Sequence, residues 1–315
     1  MKNNLKVNAL WLALILFGYL LMTVLASTGI LNPFYLQIFE QIGINIILAV
    51  GLNLIVGFSG QFSLGHAGFM AIGAYAVAIM GSKSPNYGTF FIAMLVGAVI
   101  AGAVALLVGI PTLRLKGDYL AIATLGVSEI IRILIVNGGD LTNGAAGILS
   151  IPKFTSWQLV YVFVVITTIL TLNFLRSPIG RSTLSVREDE IAAESVGVNT
   201  TKIKVIAFVF GAITASIAGS LQAGFVGSVV PKDYSFINTI NVLIIVVFGG
   251  SMTGAIVAAV VLGILNMLLQ DISSVRMIVY SLALILVMIF RPGGLLGTWE
   301  FSLAKLFKKN KEVKE

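Results

Sequence analysis

The sequence predicts an all-α fold, a polytopic membrane bundle of about ten transmembrane helices with both termini in the cytoplasm. Composition is the first observation behind this prediction: 58% of the 315 residues are hydrophobic and 10% are charged, against roughly 25% charged residues in soluble domains. The second is a mean hydropathy of +1.03. The third is the recurrence of long uncharged stretches, such as the 33 residues between Lys6 and Glu40. A soluble domain with a single membrane anchor is therefore excluded.

Each crossing of the hydrocarbon core needs about 20 apolar residues, so every long uncharged stretch holds one or two helices. The two longest, of 42 and 37 residues, contain glycine-rich breaks at residues 57–60 and 249–251, where a turn fits. Ten helices are predicted, at residues 10–26, 35–56, 66–80, 90–110, 119–136, 157–175, 205–224, 237–248, 254–269 and 276–290. They form one transmembrane domain over residues 1–304, with its core at about 36–297, and a basic tail follows at residues 305–315.

The positions of lysine and arginine predict the orientation of the bundle. If the amino terminus is cytoplasmic, 15 of the 20 basic residues fall inside, four fall outside and Arg132 lies within a span. The net charge of +7 then reflects membrane topology and does not indicate nucleic-acid binding, while the tail, with five lysines, is expected to contact anionic lipid. The first apolar run, residues 9–26, exceeds the roughly 7–15 residues of a signal-peptide core, so we expect a retained helix.

Small residues recur at every fourth position of the predicted helix at 205–224. Hydrocarbon gives no hydrophobic drive for helix association, so small residues that allow close backbone approach must supply the contact energy. This face is expected to dock against another helix of the chain or another subunit. Its members are Ala207, Gly211, Ala215, Gly219 and Ala223.

The stretch at residues 51–75 is polar within an apolar window, because eight of the residues from 57 to 75 are Gly, Ser or Gln. Non-helical backbone at membrane depth requires surrounding protein or a water-lined cavity. The pattern favours a broken or re-entrant helix beside a translocation path; its polar groups would be Gln61, Ser63 and His66, with Asn53 as a further candidate. The alternatives are a cytoplasmic turn with His66 facing the headgroups, and an interhelical hydrogen bond for Asn53.

The longest cytoplasmic loop, residues 176–204, contains a predicted short helix at residues 188–197. Acidic residues crowd its first turn, where the helix dipole favours them, and Gly197 can end it. A helix this short needs a docking partner, and Ile191, Ala192 and Val196 form a compact face that fits a groove on another protein. A connecting segment on the membrane surface is the alternative. The candidate docking residues are Glu188, Glu190, Ala192, Ala193, Glu194 and Gly197.

Two opposite charges lie three residues apart in the predicted helix at 119–136. Glu129 and Arg132 share one helical face and can form an ion pair. Pairing removes most of the penalty of a lone charge in the membrane. The alternative is that Glu129 faces a substrate ammonium group or a proton path.

These motifs resemble those of a known family. Residues 51–75 resemble the signature of the branched-chain amino acid permeases of ATP-binding-cassette importers, and residues 191–197 resemble the loop that such permeases offer to their ATPases. The usual loop is Glu-Ala-Ala, three variable residues and Gly; Ile191 stands in place of the Glu. The resemblance covers residues 36–297 and extends to Ala207-Phe208, Phe248-Gly249-Gly250, Gly254-Ala255 and the run from Arg291 to Gly297.

The resemblance implies the longer of two homologous permease subunits, in the cytoplasmic membrane of a bacterium or archaeon. Its expected partners are a sister permease, two ATPase subunits and an extracytoplasmic solute-binding protein that delivers Leu, Ile or Val. The implied mechanism is alternating access, with the helix at 188–197 coupling the bundle to ATP hydrolysis. Hydrolysis would belong to the partners, because this chain lacks a phosphate-binding loop.

Other functions were weighed against the importer. A permease for urea or another amide would have a closely similar sequence, and an ion-coupled secondary carrier would use Glu129 as its coupling carboxylate. A membrane-embedded enzyme has little support, because the chain has no Cys and one His and offers no catalytic constellation. No metal or cofactor is expected.

Overall fold

The computed structural model describes residues 2–29, 31–115 and 117–269, together with positions 282, 285, 289, 290 and 297. Within these ranges the chain forms α-helices joined by short connections. They are α1 (Lys2–Ser27), α2 (Pro33–Asn53), α3 (His66–Lys83), α4 (Tyr87–Thr112), α5 (Asp118–Val136), α6 (Trp157–Arg176), α7 (Pro178–Glu188), α8 (Glu190–Ser195), α9 (Thr200–Val226), α10 (Phe236–Gly249) and α11 (Met252–Leu268). Most of the predicted helix at 276–290, most of the motif at 291–297 and all of the tail at 305–315 lie outside the described residues.

The first nine predicted helices correspond to α1–α6 and α9–α11. In the part of the chain that the structure describes, six segments are long and apolar enough to cross a membrane: Leu10–Ser27, Pro33–Phe58, Tyr87–Thr112, Asp118–Val136, Trp157–Arg176 and Thr200–Val226. The helices α10 and α11 are apolar but shorter, at 14 and 17 residues. The helical membrane bundle is thus supported, whereas the count of ten crossings and the cytoplasmic position of both termini stay predictions.

The centre of the bundle consists of α2, α3 and α9. Every residue of α2 from Ile46 to Asn53 is buried, and α9 packs against α2, α3 and α4. All five small residues of the predicted docking face of α9 are buried, so its partners are helices of this chain. Backbones touch here: a Cβ atom added to Gly73 would lie 1.9 Å from the carbonyl oxygen of Ser216. Only glycine allows this approach.

The first helix lies at the periphery. Leu12, Phe17 and Leu20 on α1 are all more than half exposed, as expected of a helix that faces lipid. A hydrogen bond joins α1 to the bundle, because Tyr161 Oη of α6 donates to the carbonyl of Ile15 at 2.8 Å.

At the end of the bundle expected to face outward, two connections pack on each other. Ile148 and Val229 form an isolated antiparallel bridge, and the amide of Ile151 donates to the carbonyl of Gly227 at 2.8 Å. Thr155 Oγ1 adds a bond of 2.8 Å to the carbonyl of Leu221 in α9. The loop at 137–156 is therefore held against the chain that follows α9.

At the opposite end, the structure corrects the prediction of one helix at residues 188–197. Glu188 is the last residue of α7, and α8 begins at Glu190. Asp189 adopts an extended conformation between them and caps α8, because its carboxylate accepts the amides of Ile191 and Ala192 at 2.9 and 3.0 Å. An aspartate at this cap position stops one helix and starts the next.

Candidate functional site

The polar stretch predicted at residues 51–75 is an interruption between α2 and α3. After Asn53 the chain continues as a π-helix, Leu54–Phe58, which the amide of Ser59 closes by donating to the carbonyl of Leu54 at 3.0 Å. Single π-turns are frequent at functional sites. Gly57 leaves room for the side chain of Asn53, because an added Cβ would lie 2.0 Å from Asn53 Oδ1. The side chain of Asn53 thus folds over the widened turn.

Residues 59–65 are not helical, and we call residues 54–65 the broken segment. Gly60 has a φ of +67°, a conformation that favours glycine. Ser59, Gln61 and Ser63 point inward and are buried. His66 begins α3 with 2% of its surface exposed, so it does not face lipid headgroups. The chain is thus interrupted between α2 and α3, as the broken helix requires, and the alternative that places His66 at the headgroups does not fit its burial.

Two threonines from other helices hold the start of α3. The amide of Leu64 donates to Thr124 Oγ1 of α5, and the amide of Ala67 donates to Thr239 Oγ1 of α10, each at 3.0 Å. The first amides of a helix need such acceptors, and Gly65 at the cap position has no side chain to supply one. The broken segment is thus connected to α5 through Leu64, and the first turn of α3 is connected to α10 through Ala67.

Several buried polar atoms near this segment have no hydrogen-bond partner among the described residues. They include both side-chain polar atoms of Asn53 and Oε1 of Gln61. Both ring nitrogens of His66 also lack a well-formed hydrogen bond, although the backbone of Leu48 lies close to the ring. Buried polar groups in folded proteins are almost always hydrogen-bonded, so each exception calls for an explanation. These three residues are therefore candidates for groups that gain a partner in another conformation or with a bound solute.

The broken segment also contacts α7 and α9, the helices on either side of α8 in the chain. Arg187 Nη1 at the end of α7 donates to the carbonyl of Gly57 at 2.8 Å. Gln61 Nε2 donates to the carbonyl of Lys204 in α9 at 3.1 Å and to Ser59 Oγ. Lys204 Nζ in turn forms an ion pair of 2.6 Å with Glu190 of α8. The polar stretch at residues 51–75 and the cytoplasmic loop predicted at residues 176–204 are thus in direct contact.

The short helix α8 presents its apolar side chains outward. Ile191 and Val196 are 76% and 78% exposed, whereas Ala193 packs against the chain. Gly197 ends the helix with a φ of +86°, and the amide of Val198 returns to the carbonyl of Ala193 at 3.1 Å. Ala192 and Glu194 are exposed beside Ile191. The predicted compact face of Ile191, Ala192 and Val196 is exposed, whereas Ala193, another candidate docking residue, is buried.

The predicted ion pair in α5 is present. Arg132 Nε donates to Glu129 Oε2 at 2.7 Å, and both side chains are 31% exposed. Glu129 follows Thr124 by five residues, about 7.5 Å along the helix axis. Asn53, Gln61, Ser63 and His66 all lie within residues 53–66 and are buried, whereas Glu129 lies in α5 and is partly exposed.

Sequence reasoning missed the residues that hold the broken segment in place. Arg187 counted only as a cytoplasmic charge, and Thr124 and Thr239 were not noticed within apolar helices. A hydroxyl in a membrane helix is a signal that could have pointed to the threonines, because such groups bond across helices. Within the described ranges, no three His, Asp or Glu side chains could hold a metal ion.

Apolar helices, a buried polar interruption and a short exposed helix at one end define a multi-pass membrane protein of the transport type. Residues 34–290 match the family described as "Branched-chain amino acid transport system / permease component", and the chain belongs to that family.

Curated relatives agree with this assignment. The chain is 38% identical over 265 residues to the high-affinity branched-chain amino acid transport system permease protein LivM of Salmonella typhimurium, covering 72% of this chain and 62% of the relative. It is 32% identical over 151 residues to LivH of Escherichia coli (46% of this chain, 49% of LivH). It is 26% identical over 309 residues to the ribose import permease protein RbsC of Haemophilus influenzae (88% and 92%). The chain thus matches less than two thirds of the length of LivM. No solved structure matches it significantly.

Proposed function

We propose that this chain is a transmembrane permease subunit of an ATP-binding-cassette importer for branched-chain amino acids. The observation that carries the proposal is that the family match over residues 34–290 includes both the broken segment and α8. The identity of 38% to LivM, whose printed name specifies branched-chain amino acids, supports the substrate class.

In the proposed assembly both termini and α8 lie on the cytoplasmic side, where two ATPase subunits contact the exposed face of α8. A sister permease completes the pore, which is supported by the similarity to both LivM and LivH. A solute-binding protein delivers the substrate from outside, near the packed loops at 137–156 and 227–235. The whole complex resides in the cytoplasmic membrane of a prokaryote.

The proposed translocation path passes the broken segment. Asn53, Gln61, Ser63 and His66 are its polar groups, and their burial indicates a conformation in which the path is closed at this level. An amino acid carries an ammonium and a carboxylate group that must exchange water for other partners during passage. Buried polar atoms without partners can supply these bonds when the path opens. Glu129 is a further candidate for a polar group of the path. Its ion pair with Arg132 makes its carboxylate less available to the substrate.

The assembly can be tested by purifying this chain from native membranes in a mild detergent through an affinity tag. The proposal predicts that two ATPases and a second permease copurify, and that labelled leucine binds to the associated solute-binding protein. Competition by isoleucine, valine, urea and ribose then defines the substrate, since RbsC carries ribose in its name. A chain that purifies without any ATPase and still carries out ion-driven uptake would be a secondary carrier, contrary to the proposal.

A further inference from the structure

We propose that Arg187 and Gln61 are positioning residues that transmit movement of α8 to the broken segment, and through it to the bundle. This inference rests on the proposed function, because it assigns a role within ATP-driven transport. It concerns contacts inside this chain, as opposed to the surface that meets the ATPases. Two independent contacts carry it.

The first contact joins the end of α7 to the π-helix. The guanidinium of Arg187 pairs with Glu188 through Nε and Nη2 and donates from Nη1 to the carbonyl of Gly57 at 2.8 Å. A charged donor strengthens such a bond, although this one is exposed to solvent. The aliphatic part of Arg187 also lies against the turn, because a Cβ added to Gly60 would be 2.9 Å from its Cγ. Arg187 therefore contacts the π-helix by a hydrogen bond and the turn that follows it by packing.

The second contact joins the start of α9 to the same turn. Gln61 Nε2 donates to the carbonyl of Lys204 at 3.1 Å, and the side chain of Gln61 is buried. The bond is partly shielded from water, because the donor is buried while Lys204 is only partly exposed. The side chain of Lys204 pairs with Glu190, the first residue of α8, at 2.6 Å. A displacement of α8 therefore acts on Lys204 directly.

The two contacts lie on either side of α8 along the chain and meet within five residues, 57–61. Movement of α8 must then displace or strain the broken segment, because the chain is attached to it before and after the helix. At the far end of that segment Leu64 is bonded to Thr124 of α5, and Ala67 in the first turn of α3 is bonded to Thr239 of α10. A continuous series of contacts therefore runs from the exposed face of α8 to the helices of the bundle.

The decisive quantity is the number of ATP molecules hydrolysed per leucine transported by the reconstituted complex. We expect Arg187→Ala to raise this ratio about tenfold, the factor that corresponds to loss of a hydrogen bond from a charged donor, while hydrolysis itself continues. Arg187→Lys should restore the ratio in part, because an ammonium group can make a single bond but lacks the planar fork. Arg181→Ala is the matched control: Arg181 is on the same helix and donates to the carbonyl of Arg176.

A reversible crosslink gives a second test, made clean because the chain has no cysteine. An added Cβ on Gly60 would be 3.5 Å from Cβ of Arg187, within the range of about 3.5–4.5 Å found in disulfides. In the double variant Gly60→Cys with Arg187→Cys, oxidation should return the ratio toward that of the unaltered complex, and reduction should raise it again. Gly60→Cys alone controls for strain at the positive φ of this residue.

The proposal is overturned if assembled Arg187→Ala complexes keep the unaltered ratio, or if hydrolysis and uptake fall in proportion, as a purely structural role predicts. If Arg187→Ala does not assemble, the double cysteine variant tests the proposal instead. Oxidation that leaves its ratio of ATP hydrolysed per leucine unchanged would also overturn the proposal. An unaltered complex that hydrolyses ATP but accumulates no amino acid would instead refute the proposed function, and this inference with it.

Discussion

At the scale of single residues, Gly73 determines how closely α3 and α9 approach. A Cβ at this position would lie 1.9 Å from the Ser216 carbonyl, a contact that neither backbone can avoid without moving. We therefore expect Gly73→Ala to destabilise the protein by about 1–3 kcal/mol, as overpacked cores do. The measurement is the midpoint of thermal unfolding in detergent.

Gly126 provides the matched control for this prediction. It also lies inside a helix, but a Cβ there meets nothing within 4 Å. Gly126→Ala should leave stability unchanged or raise it by up to about 1 kcal/mol, because alanine has the higher helix propensity. Equal midpoints for the two variants would contradict the close approach of the helices.

Glu129 and Arg132 allow a second prediction at this scale. Glu129→Gln leaves Arg132 without its partner in the span, and a lone charge costs on the order of 3 kcal/mol at the membrane centre by insertion scales. Because both side chains are 31% exposed, we expect a smaller effect, seen as less protein in the membrane fraction. The double variant Glu129→Gln with Arg132→Gln should restore the amount and transport almost normally.

The double variant also separates pairing from a direct role of Glu129. Normal assembly with no uptake would mean that the carboxylate itself takes part in transport, and it would favour the ion-coupled alternative. Normal uptake limits Glu129 to balancing the charge of Arg132.

Residue type alone identified Gln61, Ser63 and His66, because polar groups are conspicuous in an apolar window. It could not identify Arg187, whose acceptor Gly57 is 130 positions away in the sequence. Residue type also could not show that Thr239 of α10 accepts a hydrogen bond from the start of α3. A helix cap is normally recognised in a sequence by a polar side chain just before the helix. Contacts between distant parts of the chain have no local signature.

At the scale of elements, α8 is expected to be the surface that meets the ATPases. It has six residues, too few to be stable alone, and Ile191 and Val196 point away from the rest of the chain. We predict that the double variant Ile191→Ser with Val196→Ser weakens association with the ATPases about tenfold or more, as loss of central interface contacts does. Association is measured by copurification at graded ATPase concentrations.

The permease should itself remain stable in this variant, because the altered side chains are exposed. Leu141→Ser is the control, since Leu141 is also an exposed apolar residue but lies in the connection after α5, at the other end of the bundle. If both variants bind the ATPases as the unaltered chain does, α8 is only a connecting segment.

The long apolar helices could be predicted because length and hydropathy determine them, whereas the smaller elements could not. α7 was missed, although Ser177 before Pro178 is a typical helix start, because a loop was expected between spans. Asp189 was assigned to the first turn of a helix that it caps. The π-helix at Leu54–Phe58 depends on the packing of Asn53 over Gly57 and on Arg187, and these contacts arise only in the folded bundle.

At the scale of the whole molecule, the central helices carry the interruption while the peripheral ones face the membrane. α2, α3 and α9 pack closely through small residues on both sides of the broken segment. The exposed helix α8 lies at one end and is connected to that segment by Arg187, Lys204 and Gln61. This arrangement suits a subunit that is driven from one face by another protein.

The central claim is that the chain forms part of a pore whose energy comes from separate ATPases, and uptake into liposomes tests it most directly. The purified complex, the solute-binding protein and labelled leucine are combined with ATP supplied on the ATPase side. The account predicts accumulation of leucine that requires ATP and stops when the ATPases carry an inactivating substitution. Accumulation of leucine by this chain reconstituted alone, driven by an ion gradient, would contradict it.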